Sequence, residues 1–171
     1  MAVRNVHERR IAAPPERIGA LLDGLASEDD PLWPVADWPR MRLEPGLAVG
    51  AAGGHGPVRY TVIAHEPGRA VRFRFTGPSG FDGHHEFTVR PADDGTTLLR
   101  HTLLLVPHGP ARLTWPLFFR PLHDAVLEDA LDRAERAGTG TVGRPARWSP
   151  YVRLLRTAVR KSRRRPAGHG S

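Results

Sequence analysis

Between residues 57 and 106 the chain alternates. Val58, Tyr60 and Val62 are interleaved with Arg59, Thr61 and Ile63. After Glu66-Pro67-Gly68-Arg69, Val71, Phe73 and Phe75 are interleaved with Arg72 and Arg74. A period of two sends successive side chains to opposite faces of a strand, so each run has one apolar face. If His65 lies opposite Ala70, then Ala64 meets Val71, Val62 meets Phe73 and Tyr60 meets Phe75, all on one face. One buried face demands that kind of register. Residues 84–90 extend the pattern, with His85, Phe87 and Val89 set against Phe75, Phe73 and Val71. Asp93-Asp94-Gly95 then turns the chain into a further strand over 96–106. An antiparallel meander with an apolar face must cover that face with something.

The cover is a helix over 112–137. Phe119, Leu122, Val126, Ala130 and Ala134 recur at helical spacing, and Leu127 and Leu131 widen the stripe. Asp124, Glu128, Asp129, Asp132 and Glu135 take the other side. Before the meander, residues 2–11 read as a strand that Arg and Glu interrupt. Ala13-Pro14-Pro15-Glu16 enters a helix with Ile18, Leu21 and Leu22 on its apolar side. Residues 27–40 are broken by three prolines and hold Trp33 and Trp38, which suits a short helix or structured loop. The order predicts an α+β fold in which a curved antiparallel sheet wraps one long C-terminal helix.

Composition narrows the possibilities. An apolar content of 40% supports a packed core, and the absence of cysteine excludes a disulfide scaffold, a thiolate nucleophile and a Cys-ligated metal. No apolar run reaches the roughly 18 residues of a membrane span, and the N-terminus lacks an apolar signal core, so a cytoplasmic protein is expected. The net charge of +7 is unevenly spread: residues 139–171 hold nine basic residues and no acidic one. Residues 1–138 therefore carry 16 basic and 18 acidic groups, a balance of −2. A boundary near Gly138-Thr139-Gly140 separates a nearly neutral domain, 1–138, from a basic tail, 139–171.

Several segments together resemble the START-like, helix-grip (SRPBCC) superfamily and its polyketide cyclase/dehydrase-like members. They are Ile11-Ala12-Ala13-Pro14-Pro15-Glu16 at the first helix, Gly54-His55-Gly56-Pro57-Val58-Arg59-Tyr60 at a strand start, and Glu66-Pro67-Gly68-Arg69 at the hairpin. Gly95-Thr96-Thr97-Leu98 and the run from Leu122 to Leu131 complete them. The resemblance covers residues 2–137, and the order of the segments carries it. It implies a deep apolar cavity between sheet and long helix for a lipid, sterol or polyketide-like molecule, with no single activity attached. The basic tail lies outside the pattern.

Within such a cavity His85 is the candidate catalytic residue, because the alternation places it among Phe73, Phe75 and Phe87. Burial disfavours its charged form, so it can act as a neutral base or hydrogen-bond a ligand oxygen. A core histidine bonded to backbone or water is the plainer reading. His55, after a glycine-rich segment that lacks the Lys and Ser/Thr of a phosphate loop, is a rim candidate. Arg100 and His101 compete for the inward direction. A four-residue turn sends Arg100 inward, to favour a carboxylate or phenolate, whereas a one-residue slip sends His101 inward. His123 borders the helix stripe, facing either cavity or solvent. Trp33, Trp38, Tyr60, Val62, Trp115 and Phe119 complete the candidate ligand walls, and Phe118 is a further wall aromatic. His84 and His85 point to opposite faces and no HxH or HExxH pair occurs, so neither metal nor cofactor is expected.

In the tail, Ser149-Pro150 starts a helix over about 150–162. Tyr151, Leu154, Leu155, Ala158 and Val159 form an apolar stripe, with Arg153, Arg156, Arg160 and Lys161 beside it and Arg163, Arg164 and Arg165 following. The stripe can dock on the domain, or the helix can lie on an anionic membrane. Nucleic acid ranks last, because no recognition fold accompanies the charge. Binding or carriage of a small hydrophobic or aromatic molecule is the expected function. A cofactor-independent cyclase or aromatase using His85 is the alternative, and a lipid-loading adaptor peripheral at the membrane is the second. Binding leads because only one inward ionisable group is fixed by register, and acid–base chemistry needs a partner. Oligomeric state is left open.

Overall fold

A computed structural model of the chain describes residues 1–164, with side chains through Val159. Seven strands form one antiparallel sheet: β1 (Val3–Ile11), β2 (Arg42–Glu44), β3 (Ala52–His55), β4 (Val58–Glu66), β5 (Ala70–Gly77), β6 (Phe81–Pro91) and β7 (Thr97–Pro107), in the order β1-β7-β6-β5-β4-β3-β2. Helix α1 (Pro15–Asp23) follows β1. The long helical run comprises α2 (Ala111–Thr114), a π segment (Trp115–Phe119) and α3 (Arg120–Thr139), and α4 (Pro150–Arg164) lies in the tail. This is an α+β helix-grip fold.

The meander follows the expected faces except beyond a bulge in β4, where Ala64, expected inward, is exposed. At the β4–β5 hairpin Val62 does meet Phe73 and Tyr60 meets Phe75, but His65 pairs with Val71 and Ala64 with Arg72. A bulge between Val62 and Ala64 absorbs the extra residue. His85 pairs with Phe73 and Phe87 with Val71, two residues from the expected register, which leaves the face unchanged. The β6–β7 connection settles the competition over β7. Arg90 pairs with Leu98 and Phe87 with His101, so His101 is buried on the concave face. Arg100 points the other way and is tied to Glu8 on β1 through Nε at 2.7 Å. It is not a cavity residue.

Strands β2 and β3 were not expected, because residues 42–55 carry little alternation. They need glycine instead of apolar side chains. A Cβ on Gly53 would stand 1.9 Å from the Arg42 carbonyl oxygen, and Gly54 adopts φ +153. Residues 27–40 form turns without a helix. Asp30 organises them by accepting from the backbone N–H groups of Ala26, Leu32 and Trp33.

The π segment has a cause in the sequence. Pro121 has no N–H to give the Leu117 carbonyl four residues earlier, and Pro116 likewise fails Arg112. The helix widens by one residue, and the Arg120 N–H donates to the Trp115 carbonyl five residues back. The seam between α3 and β1 is ionic. Arg9 contacts Asp132 at 2.9 Å, Glu128 at 3.2 Å and Glu135, while His7 bridges Glu128 at 2.7 Å and Asp124 at 3.1 Å.

Helix α4 packs on the body through Val152, Arg156 and one edge of its expected apolar stripe, where Val159 reaches the cavity. Val152 is buried, and the Arg156 guanidinium lies 3.6 Å from the Trp148 ring centroid and 4.7 Å from that of Trp38. Arg156 also reaches Asp37, through its backbone carbonyl and at 3.6 Å through its carboxylate. At 100° per residue three stripe members, Tyr151, Leu154 and Ala158, lie roughly a quarter turn or more from Val152 and Arg156 and are exposed, while Leu155 and Val159 are half-buried. Arg153 is exposed too. The side chains of Arg160, Lys161, Arg163 and Arg164, and all of Arg165, lie outside the described residues.

Candidate functional site

The apolar core falls into two clusters. The larger includes Ile11, Ile18, Leu22, Tyr60, Phe73 and Leu131; the smaller comprises Phe81, Leu103, Leu105, Ala111 and Trp115. Between them is a cavity of about 860 Å³ whose lining draws on both. That volume lies within the range of small-molecule sites. The sheet contributes Phe75, Phe81, His85, Phe87, His101 and Leu103, and the helical run contributes Trp115, Phe118, Phe119, Leu122, His123 and Val126. Trp33, Trp38 and His55 close one end, and Arg156 and Val159 reach it from α4. Ala36, Asp37 and Pro57 are the lining residues most open to solvent, which places the mouth beside α4.

Of the expected wall residues, Tyr60, Val62 and Phe73 do not line the cavity; they are buried behind it. Tyr60 and Phe73 support the rings that do line it. His85 stacks on Phe73 and Phe75, each 4.9 Å away between centroids, and meets Tyr60 edge-on at 5.0 Å. Phe81, Leu103, Leu122 and Val126, absent from the expected wall, complete it. Phe81 precedes the part of β6 that alternates cleanly, and Leu122 and Val126 read simply as helix core.

The polar groups of the cavity are mostly histidines. His85 Nδ1 and His101 Nε2 are 3.1 Å apart in a buried hydrogen bond, so one ring donates to the other. Burial pushes both pKa values well below 6.5, and neighbouring histidines, His123 foremost, add repulsion. Both rings are therefore neutral at pH 7. Their outer nitrogens, His85 Nε2 and His101 Nδ1, are buried without a protein partner. Proton bookkeeping then fixes what the pair presents. Whichever ring donates, one outer nitrogen carries a hydrogen and the other is a bare acceptor, and the two swap when the pair changes tautomer. His55, against Trp33 at 4.7 Å, is lowered to about 3, by burial first.

His123 lines the cavity from α3, with Nδ1 at 3.3 Å from Asp124 Oδ1. Burial lowers its pKa, which the Asp124 carboxylate partly opposes. The ring is neutral with its hydrogen on Nδ1, and Nε2 is a buried acceptor with no protein partner. Behind it stands His7. Burial opposes its protonation, but hydrogen bonds to Asp124 and Glu128 outweigh burial and raise its pKa to about 9. His7 is thus an imidazolium donating from both nitrogens. Asp124 stays ionised, because its bonds to His123 and His7 overcome burial. His7, His123 and Asp124 bring one potential metal-ligand atom each within 4.8 Å of one another. The Asp124 carboxylate in this group is already bonded to both rings. His7 went unnoticed because β1 looked interrupted by charge. Asn5, His7 and Arg9 alternate on one face, opposite a carboxylate ladder on α3, and that complementarity was the available signal.

Comparison with known proteins places this geometry. Residues 3–139 match a family model described as polyketide cyclase/dehydrase and lipid transport. No curated protein sequence matches the chain. Among solved structures, CalU16 from Micromonospora echinospora is similar at 14% identity and TM-score 0.57, covering 94% of this chain and 86% of its own. A protein from Nitrosospira multiformis is similar at 16% identity and TM-score 0.60, covering 81% and 98%. A norcoclaurine synthase point mutant from Thalictrum, solved with a transition-state analogue, is similar at 15% identity and TM-score 0.52, covering 77% and 95%. At these identities the likeness concerns the fold.

Proposed function

Since the chain belongs to the polyketide cyclase/dehydrase and lipid transport family, we propose that its cavity binds one small hydrophobic molecule, aromatic or polyketide-like, bearing a carbonyl or hydroxyl oxygen. The supporting observation is the neutral His85–His101 pair set into an aromatic cavity of about 860 Å³. Aromatic walls select an apolar frame. A pair that offers either an N–H or a bare nitrogen suits a carbonyl or a hydroxyl alike.

The test pairs native mass spectrometry of the purified protein with titration of 1-naphthol and naphthalene. A co-purifying lipid or aromatic would name the ligand class. His101→Leu should lose the preference for 1-naphthol, roughly 3- to 10-fold for one hydrogen bond, and keep naphthalene binding. Saturable binding of 1-anilinonaphthalene-8-sulfonate that survives a cavity-filling Leu103→Trp change would overturn the reading.

Convergence of ionisable groups supports a second reading, a cofactor-independent acid–base enzyme of the cyclase or aromatase type. In a low-dielectric cavity a charged intermediate on either ring is disfavoured. The pair avoids it by taking a substrate proton at its bare nitrogen while the outer N–H of the other ring returns one to a substrate oxygen. The tautomer flips and the pair stays neutral. Hydrogen–deuterium exchange at the central carbon of an aryl 1,3-diketone should be accelerated by the protein and should revert to the uncatalysed rate in His85→Phe. Unchanged exchange in that variant removes His85 from a catalytic role.

A further inference from the structure

We infer that the face made by α2, the π segment and α4, beside the cavity mouth, is a docking surface for an anionic lipid bilayer. Among the described residues, half of the eight large hydrophobic side chains left exposed belong to this face: Leu113 at 69%, Leu117 at 61%, Tyr151 at 45% and Leu154 at 65%. Leu113 and Leu117 are four residues apart on the helical run, and Tyr151 and Leu154 three apart on α4, so each pair shares a helix side. The two segments are joined directly. The Tyr151 hydroxyl donates to the Leu117 carbonyl at 2.6 Å, and this is the carbonyl that Pro121 leaves without its α-helical donor. A clustered apolar surface of this kind on a soluble domain marks an interaction site.

Charge commits the face to one occupant. Arg112 on α2, Arg120 at the start of α3, Arg147 just before α4 and Arg153 on α4 are exposed, Arg120 lying 3.6 Å from Asp124. Residues 95–123 contain no acidic residue, and neither do residues 136–171. A second copy of the chain would bring the same arginines against each other, and like charges oppose that pairing. An anionic bilayer accepts both features: apolar side chains enter the headgroup boundary while arginines meet lipid phosphates. The position fits as well. Phe118 and Phe119, next to Leu117, line the cavity, as do Arg156 and Val159 on α4. A bilayer on this face would lie against the mouth through which an apolar ligand passes. The purpose of docking rests on the cavity being a ligand site; the docking itself does not.

The full-length protein should co-sediment with vesicles of 7:3 phosphatidylcholine:phosphatidylglycerol at least 10-fold more strongly than with phosphatidylcholine alone. Each arginine neutralised, as in Arg112→Ser or Arg153→Ser, should cost about fivefold, and 0.5 M NaCl should remove most of the binding. Leu117→Glu/Leu154→Glu should lose anionic-vesicle binding while keeping the wild-type melting temperature and 1-anilinonaphthalene-8-sulfonate binding. Retained vesicle binding by that variant would overturn the assignment, since charge alone would then be sufficient. A dimer by light scattering that the double variant dissociates would assign the face to a second copy and overturn it too. Loss of cavity binding by wild type would count against the ligand reading and leave the vesicle result to stand separately.

Discussion

His55 offers a sharp test of the cavity electrostatics. Its ring is neutral in the folded protein, with burial and the nearby His123 and Arg59 taking its pKa from 6.5 to about 3. In the unfolded chain the ring titrates near its ordinary value. Unfolding therefore takes up a proton wherever the pH lies between those values, and stability falls as the solution is acidified from about pH 6.5 towards about pH 3. For a one-site linkage the loss between pH 7 and pH 5 is about 2 kcal/mol. The variant His55→Phe keeps a ring beside Trp33 and Tyr60, at 4.7 and 6.0 Å in the native arrangement, and removes the titration. Urea unfolding followed by tryptophan fluorescence at pH 7, 6 and 5 measures both proteins. The wild type should lose about 2 kcal/mol more than the variant across that range, because the other histidines are common to both and cancel. Parallel stability profiles would refute the argument and mean that His55 is protonated, or solvated, in the folded protein.

His7 should behave in the opposite sense. Its raised pKa contributes stability that is fully present below pH 6.5 and lost as pH rises through about 9. Asp124→Asn should flatten that alkaline loss, on the order of 2 kcal/mol once solvent screening of the partly exposed carboxylates is allowed for, as read by melting temperatures at pH 7, 8 and 9.5. Gly19→Ala should destabilise despite alanine's better helix propensity. The new Cβ would stand 2.4 Å from the Gly68 backbone oxygen, and overpacking of this kind costs about 1–3 kcal/mol. Thermal melts check it, and a stabilised variant would show that the α1–hairpin contact yields. Arg156→Ala should loosen α4, read as faster limited proteolysis near residue 150 and a shift in tryptophan emission. Arg156→Lys should recover part of the effect, because lysine keeps the charge and loses the planar stacking.

The parts of the fold visible in the sequence were those governed by one-sided burial. Period two in β4 to β6 and period 3.6 in α3 follow from which face leaves water, so the faces survived a two-residue slide at β6, while the β4 bulge turned Ala64 outward. What stayed hidden depended on contacts made by backbone or by charge. Strands β2 and β3 exist because Gly53 lets another backbone approach, and a glycine has no side chain to announce a face. In β1 the inward residues Asn5, His7 and Arg9 are polar, so the pattern looked broken until its partner on α3 was in place. The place of Arg156 was missed for a related reason: this residue, which charge alone would send to solvent, is held between two tryptophan rings. Among the site residues, His85 was legible by alternation. His101 was left undecided because a single residue in the β6–β7 turn sets its direction.

The long helix is held on its two sides by different physics, and that makes the cavity lopsided. Along β1 the seam is a ladder of arginine, histidine and carboxylates, which added salt weakens. Along α4 it is the Arg156 guanidinium stacked on Trp148 and Trp38 and paired with Asp37, beside the buried Val152. The β1 side is thus the one that responds most to ionic strength. Ammonium sulfate and sodium chloride at matched ionic strength should therefore loosen the β1 ladder alike, while sulfate alone strengthens the apolar burial beneath the helix and should slow ligand exchange.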